Sequence, residues 1–202
     1  LSRREDIYRP YRPTRRTRAT SAREKGLEPL ARALLEQRPE LSPGEAAKAY
    51  VSAEKEVAGL EDALAGARDI LAEMVNEDAG ARTVMRDFFA RNAVAASAVA
   101  KGKEEEGAKF RDYFAWQEPA SRAAGHRLLA MLRGEAEGML TLHFLPDPEP
   151  ALEKLHGLFV KNGSPSGLQV REAVDDGYKR LLAPSLETEL RSSLKQKAET
   201  EA

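Results

Sequence analysis

Two groups of basic side chains carry the clearest chemical potential in this chain, because they can bind the phosphates of a nucleic acid. One group lies near the N terminus, and the other lies between residues 101 and 111, among aromatic residues. Guanidinium and ammonium groups bind phosphate oxygens through charge-assisted hydrogen bonds. The candidate nucleic-acid-binding residues are therefore Arg15, Arg16, Arg18, Lys101, Lys103, Lys109 and Arg111.

The N-terminal group stands in a segment that is rich in proline and tyrosine. Pro10 and Pro13 lack backbone donors and restrict the residues before them, so we expect residues 8–20 to run extended. The arginines then either contact phosphates or form ion pairs with carboxylates of the same protein. In either case we expect Tyr8 and Tyr11 to hold the segment in place. We expect a mixture, in which Arg15 and Arg16 are partly structural and Arg18 is freer.

The distribution of charge separates this segment from the rest of the chain. The first 25 residues hold nine Lys/Arg and three Asp/Glu, which gives a net charge of +6. The remaining residues hold 23 Lys/Arg and 30 Asp/Glu, which gives a net charge of −7. A basic block on an acidic chain is typical of a segment that binds phosphates or an acidic partner. It is also typical of a segment that packs on its own acidic body, which is the interpretation that we favour on charge alone.

The second basic group contains Phe110 and is followed by Tyr113, Phe114 and Trp116. Basic residues with interleaved aromatics can bind a phosphate backbone and stack bases. The competing interpretation, which we favour, is that Phe110, Phe114 and Trp116 are core anchors of a small subdomain.

No arrangement typical of catalysis or of metal binding occurs in the sequence. The chain has three histidines in no metal-binding spacing, no cysteine, and no phosphate-binding glycine loop. Glu104, Glu105 and Glu106 would point in different directions on a helix, where we expect them to favour the N-terminal end of the dipole. We therefore predict no enzyme activity and no cofactor, and no long apolar run predicts a membrane span.

The hydrophobic periodicity predicts a mainly helical fold with one small two-stranded β element. Helix starts are indicated at Ser21, Ser42 and Asp78, and the last helix should follow a break at Pro184. Residues 139–145 alternate between apolar and polar side chains, which predicts a strand, and residues 94–100 are its expected partner. Residues 104–114 are expected to be helical, followed by a linker around Trp116.

The order of these elements suggests three parts. Residues 1–92 form a basic extended arm with a helical subdomain, and residues 93–162 form a mixed subdomain that holds the β element. Residues 163–202 are helices, of which Ser185–Ala202 is strongly charged and should bridge toward a following domain.

Several stretches, in order, resemble the bacterial transcription accessory protein family called Tex. They are Asp6–Arg18, Ala22–Leu30, Gly66–Glu73, Lys101–Phe114, His126–Gly134, Glu137–Leu142 and Leu186–Leu190. The resemblance spans nearly the whole chain and weakens over residues 146–180. It implies a piece of a longer protein, with helices before Leu1 and with RNase H-like, helix-hairpin-helix and OB-fold domains after Ala202.

The resemblance implies a non-catalytic scaffold and nucleic-acid-associated module of a Tex-like transcription accessory factor. The absence of cysteine fits a cytoplasmic protein, which is the location we expect. In that family the strongest nucleic-acid binding is expected from the OB-fold domain, so binding by these residues should be weak or indirect. The alternative is a protein-interaction module that contacts the transcription machinery through the basic arm.

Overall fold

A computed structural model describes residues 16–202, which form nine α-helices and a three-stranded sheet. The helices are α1 (Arg18–Glu24), α2 (Glu28–Glu36), α3 (Pro43–Lys48), α4 (Leu60–Glu77), α5 (Ala79–Asn92), α6 (Gly125–Ala136), α7 (Pro148–Phe159), α8 (Pro165–Gly177) and α9 (Ala183–Glu201). The strands are β1 (Val94–Val99), β2 (Ala115–Pro119) and β3 (Leu140–Leu145). The prediction of a mainly helical fold is confirmed.

Short polar side chains begin several of these helices, as the sequence indicates. Ser42 accepts a hydrogen bond from the backbone N–H of Glu45 at 3.4 Å, and Asp78 accepts one from that of Ala81 at 2.7 Å. The start expected at Ser21 is wrong, because Thr17 caps α1 through the N–H of Thr20. Gly26, with a φ of +76°, then separates α1 from α2.

Most helices enclose a first hydrophobic core. Helices α1 to α5 pack there with α7, α8 and the start of α9, around buried side chains such as Leu30, Ile70 and Phe89. Two of these helices cross closely at Gly177, where an added Cβ would lie 2.9 Å from the carbonyl oxygen of Ala72. The first core therefore joins residues from both ends of the described chain.

The sheet is antiparallel and has the order β2-β1-β3. The expected pairing is confirmed, since Val94 lies opposite Leu145 and Val99 opposite Leu140. The expected number of strands is wrong, because β2, assigned to a linker from the sequence, pairs with the other side of β1. A strand of five residues that ends in Pro119 has little pattern of its own and exists because β1 offers it a backbone partner.

A second, smaller core lies between the buried face of the sheet, helix α6 and the second half of α9. It contains Ala95, Leu128, Met131, Phe144 and Ala198. Because α9 also buries Leu186 in the first core, one helix is packed into both cores. The last helix is therefore held along its length by packing inside the described chain, in addition to any role toward a following domain.

The break expected at Pro184 is wrong, because the chain runs from α8 into α9 through one π-helical turn, Tyr178–Leu182. A proline inside a regular α-helix clashes with the carbonyl four residues earlier, here that of Arg180. The wider π turn makes room for the ring, so Pro184 lies in the first turn of α9 without ending the helical run.

The division at residues 92 and 162 stays a prediction, although α7 and α8 both pack on the first core. Of the segment expected to be extended, residues 8–15 lie outside the described residues. Residues 18–20 are helical, which corrects that part of the expectation.

Candidate nucleic-acid interface

The basic turn, residues 101–111, connects β1 to β2 at one end of the sheet. The N–H of Ala100 donates to the carbonyl of Met139 at 2.9 Å, and Gly102 takes a φ of +75° that reverses the chain. At Gly107 an added Cβ would lie 2.8 Å from the carbonyl oxygen of Lys103, so only glycine allows this close approach. The backbone thus fixes the turn against the start of β3.

Carboxylates within the fold already bind two of the four basic side chains of the turn. Lys103 Nζ lies 3.4 Å from Glu106, and Lys109 Nζ lies 2.7 Å from Glu137. Lys101 and Arg111 are exposed, and neither has a carboxylate within 4.0 Å among residues 16–202. These two cations are the ones that the structure leaves available to an external phosphate.

The helix expected over residues 104–114 is replaced by turns and a short 3-10 helix, Ala108–Tyr113. Glu104, Glu105 and Glu106 therefore do not begin an α-helix, and the expected interaction with its dipole is wrong. All three carboxylates are exposed beside the cations, so the turn has nearly balanced charge.

The aromatic residues of this region point into the protein. Phe110 is buried, and its ring lies beside Gly134, where an added Cβ would come within 3.2 Å of it. Tyr113 and Trp116 meet edge to face at 6.3 Å between ring centres, and Arg127 lies 5.5 Å from the centre of the Trp116 ring. These contacts support the interpretation of Phe110 and Trp116 as anchors, whereas Phe114 is half-buried and belongs to neither core.

The N-terminal arginines stand at the first core, on helix α1 and just before it. Arg15 lies outside the described residues. Arg16 donates to Glu24 at 2.7 Å and is largely exposed, so a carboxylate of the same chain binds it, as one interpretation predicts. Arg18 is exposed and has no carboxylate within 4.0 Å among residues 16–202, which fits the expectation that it is freer. The structure thus places the two basic groups at different cores.

An acidic surface beside Arg18 was not predicted from the sequence. Arg180 donates to Asp176 at 2.9 Å and lies 4.0 Å from Asp69. Burial raises the pKa of Asp69, and the positive charges of Arg180 and Arg18 partly oppose this increase. No local signal could have shown this cluster, because its members are about 100 residues apart in the chain and only the packing of α8 on α4 joins them.

The histidines take part in local contacts. His156 lies 2.5 Å from Asp175 and joins α7 to α8, while His143 lies 3.5 Å from Glu187. Residues 16–202 contain no group of three His, Asp or Glu side chains positioned to hold a metal ion. Within the same range, no helix has the length and apolar character needed to cross a membrane.

Comparison with known proteins places the sequence in a family. The family model described as Tex central region-like matches residues 38–202. Protein YhgF of Escherichia coli is 44% identical over 98% of the chain, and the protein named tex of Bordetella pertussis is 36% identical over 99%. The transcriptional accessory protein Tex of Neisseria gonorrhoeae is 37% identical over 98%.

The chain spans only 27% of the length of each of these three relatives. The family match nevertheless covers most of the described residues, from just after α2 to the end of α9, and therefore the second core and the larger part of the first. On this match, the chain belongs to the Tex central region-like family.

Proposed function

We propose that this chain is a non-catalytic scaffold of a Tex-like transcription accessory protein, and that it associates with nucleic acid through exposed cations. The observation that carries the proposal is the uninterrupted helical run from Pro165 to Glu201, which is packed into both cores. A rigid helix shared by two cores fixes their relative orientation, which is what a scaffold requires.

Side-chain bonds strengthen the attachment of α9 to both cores. On the first core, Glu189 accepts from Arg82 at 3.2 Å and from Arg86 at 2.8 Å. On the second, the N–H of Phe144 donates to Glu187 at 2.8 Å, and Arg191 donates to the carbonyl of Leu142 at 2.7 Å. The last two bonds also give partners to backbone groups on the outer edge of β3, which would otherwise be unpaired.

The proposed contact with nucleic acid uses the phosphate backbone. Arg18, Lys101 and Arg111 are exposed cations without a close carboxylate among the described residues, and Arg16 is largely exposed. Because the nearby rings serve the core, we expect binding without base stacking, of similar strength for any sequence. Because the two assigned groups contribute only a few cations, the affinity of these residues alone should be low, in keeping with a supporting role.

A second candidate function is a module that binds a protein of the transcription machinery. The ion pairs Lys103–Glu106 and Lys109–Glu137 favour it, because a turn with balanced charge attracts polyanions weakly and can form matched polar contacts with a protein. The two candidates differ in salt dependence, since release of counterions makes nucleic-acid binding fall steeply with salt.

A salt series distinguishes them. The chain is titrated with unrelated DNA and RNA sequences, alongside two variants: Arg15, Arg16 and Arg18 replaced by Ala, and Lys101 and Arg111 replaced by Ala. The proposal expects weaker binding to every sequence. It also expects the slope of log affinity against log salt to fall by about one unit for each phosphate that the variant no longer binds.

The matched control replaces Arg38, Lys48 and Arg91 by Ala, which removes three charges from exposed residues that form local ion pairs. An equal reduction of binding in the control would show that net charge alone matters and would reject the assigned sites. No binding to any nucleic acid at low salt would favour the protein-interaction module.

A further inference from the structure

Helix α4 forms one wall of an apolar cavity in the first core. The cavity has a volume of about 320 Å³ and is lined by the apolar side chains of Leu35, Leu71, Met74, Val75, Phe159 and Val170. Ligand sites in proteins begin at about 300 Å³ and are lined mainly by apolar side chains with a few polar groups. A cavity of about 150 Å³ already holds a benzene ring, so this one has room for one large side chain of a partner.

The mouth of the cavity exposes apolar surface. Its floor is made of buried residues, whereas Leu35, Met74 and Phe159, from helices α2, α4 and α7, are half-buried. Methionine is flexible, and its sulfur makes favourable contacts with aromatic rings. An aromatic side chain that entered the cavity would therefore cover this surface and meet an adaptable wall.

A buried glutamine holds two sides of the mouth in place. Gln37 Nε2 donates to the carbonyl of Leu35 at 3.2 Å and to that of Phe159 at 2.8 Å. Because one amide binds the backbones of two lining residues, the ends of α2 and α7 cannot close over the cavity without breaking these bonds. The cavity is thus formed before a ligand arrives, which lowers the cost of binding.

Two carboxylates without an ion-pair partner stand at the rim. Glu77 and Asp78 line the cavity beside the apolar residues, and both are exposed. Neither has a cation within 4.0 Å among residues 16–202, since Arg23 binds Glu73 instead, at 2.6 Å. The rim is therefore negatively charged and open to an external cation.

The combination of charge and shape selects the class of partner. Negative charges at the rim repel the phosphates of a nucleic acid and attract lysine or arginine side chains. The apolar volume accepts an aromatic ring, which is a frequent anchor at protein interfaces. We propose that the cavity beside α4 binds a segment of another protein in which an aromatic side chain is flanked by lysine or arginine. None of the cations assigned to nucleic acid lines this cavity, so the proposal stands apart from that function.

A short peptide of this chemistry tests the proposal on the full 202-residue chain. The peptide is acetyl-Gly-Arg-Phe-Arg-Gly-amide, and its binding is followed by NMR through the methyl signals of leucine, methionine and valine. We expect saturable shifts at Leu35, Met74 and Val170, whereas Met131 and Leu142 in the second core should not shift. Replacing the phenylalanine of the peptide by alanine should weaken binding by about tenfold or more, because the buried ring is lost.

A reversal of charge at the rim tests Glu77. A second peptide, with glutamates in place of both arginines, should bind the unmodified chain more weakly than the first. Glu77→Lys should weaken the basic peptide and strengthen the acidic one, each by about two- to fivefold, as expected for an exposed ion pair. Lysine suits the last turn of α4, because a cation there interacts favourably with the helix dipole. Glu153→Lys, at an exposed position of α7 outside the cavity, is the control and should change neither affinity.

A filled cavity tests the apolar part of the site. Met74→Trp places a larger side chain at the mouth and should abolish binding of the basic peptide. Far-UV circular dichroism confirms that each variant is folded, and the Glu77→Lys result tests the site independently if Met74→Trp is not.

Five results would overturn the proposal. The first is no shift of the lining methyl groups at millimolar peptide, which would mean that the cavity is closed to partners. The second is equal binding of the peptides with phenylalanine and with alanine, and the third is an unchanged preference between the basic and acidic peptides in Glu77→Lys. The fourth is a shift of the same methyl groups with a single-stranded oligonucleotide, which would assign the site to nucleic acid. The fifth is a change of these signals on dilution of the free chain, which would mean that a second copy occupies the cavity.

Discussion

At the scale of single residues, Gln37 joins two turns that are more than 120 residues apart. It is 1% exposed; its Nε2 donates to the carbonyl of Phe159 at 2.8 Å, and its Oε1 accepts from the N–H of Lys161 at 2.8 Å. Its backbone has a φ of 55°, a left-handed conformation that glycine adopts more easily. The side-chain bonds therefore explain why a glutamine stands at the end of α2.

We expect Gln37→Ala to lower the free energy of unfolding by about 1–3 kcal/mol, because buried backbone groups lose their partners. Gln37→Gly should cost less, since glycine relieves the backbone while the same bonds are removed. Chemical denaturation measures both, and Gln117→Ala on the exposed side of β2 is the control. Equal stability of the Gln37→Ala variant and the control would show that the network contributes nothing.

Tyr178 is a buried ionisable residue in the π turn. Burial raises the pKa of Tyr178 to about 12, with a smaller contribution from the negative charge of Asp147. In the unfolded chain its pKa is about 10, so the unfolded state releases the proton first as the pH rises. Stability is thus complete below about pH 10 and is lost between about pH 10 and pH 12, by about 2–3 kcal/mol.

Tyr178→Phe should remove this contribution to the loss of stability at alkaline pH. Stability at neutral pH should change little, because the phenyl ring keeps its packing against Phe89. The measurement is the free energy of unfolding as a function of pH, with Tyr50→Phe as the control. An alkaline loss of the same size in Tyr178→Phe and in the unmodified protein would contradict the assignment.

At the scale of elements, the last turns of α9 depend on the absence of a side chain at the start of α6. A Cβ added to Gly125 would lie 2.9 Å from Oε2 of Glu201 and 3.3 Å from Cα of Ala198. Small residues on both helices thus allow a close crossing, which buries Ala198 although α9 is strongly charged.

We expect Gly125→Ala to separate these turns and to increase amide hydrogen exchange over residues 195–201, while exchange over 183–190 stays slow. The control is Gly157→Ala on α7, where an added Cβ meets nothing within 4 Å. Gly157→Ala should stabilise α7 by about 0.5–1 kcal/mol, because alanine has a higher helix propensity than glycine. Unchanged exchange over 195–201 in Gly125→Ala would show that the helices tolerate a wider separation.

At the scale of the whole molecule, the two cores should unfold together because α9 belongs to both. Leu190 is half-buried and packs against each core. Trp116, the single tryptophan, reports on the second core by fluorescence, and far-UV circular dichroism reports mainly on the helices around the first. We expect the two probes to give coincident denaturation curves, as a two-state transition requires.

Leu190→Ala should shift both curves together to lower denaturant concentration. The free energy of unfolding should fall by about 2 kcal/mol, which is the lower end of the range for leucine truncation, because the residue is only half-buried. Leu168→Ala, at an exposed position, is the control and should shift neither. Separate transitions in the unmodified protein would show that the cores are independent, and this would weaken the proposed scaffold.

The sequence determined the local structure wherever a residue pattern and a local signal agreed. Ser42 and Asp78 began their helices as expected, and the alternation over residues 139–145 produced β3 with its predicted partner. The resemblance identified the family from ordered motifs. These properties depend on near neighbours, or on the repeat of apolar side chains along one element, and both can be read from the chain.

Only the tertiary structure decided which distant residues meet. Strand β2 exists because β1 pairs with it, and Pro184 stays within a helical run because a π turn precedes it. Lys109 binds Glu137, which leaves Arg111 and Lys101 as the exposed cations of the turn without a close carboxylate among the described residues. Such pairings depend on the geometry of packing between elements that lie tens to more than a hundred residues apart, and periodicity within one element carries no information about it.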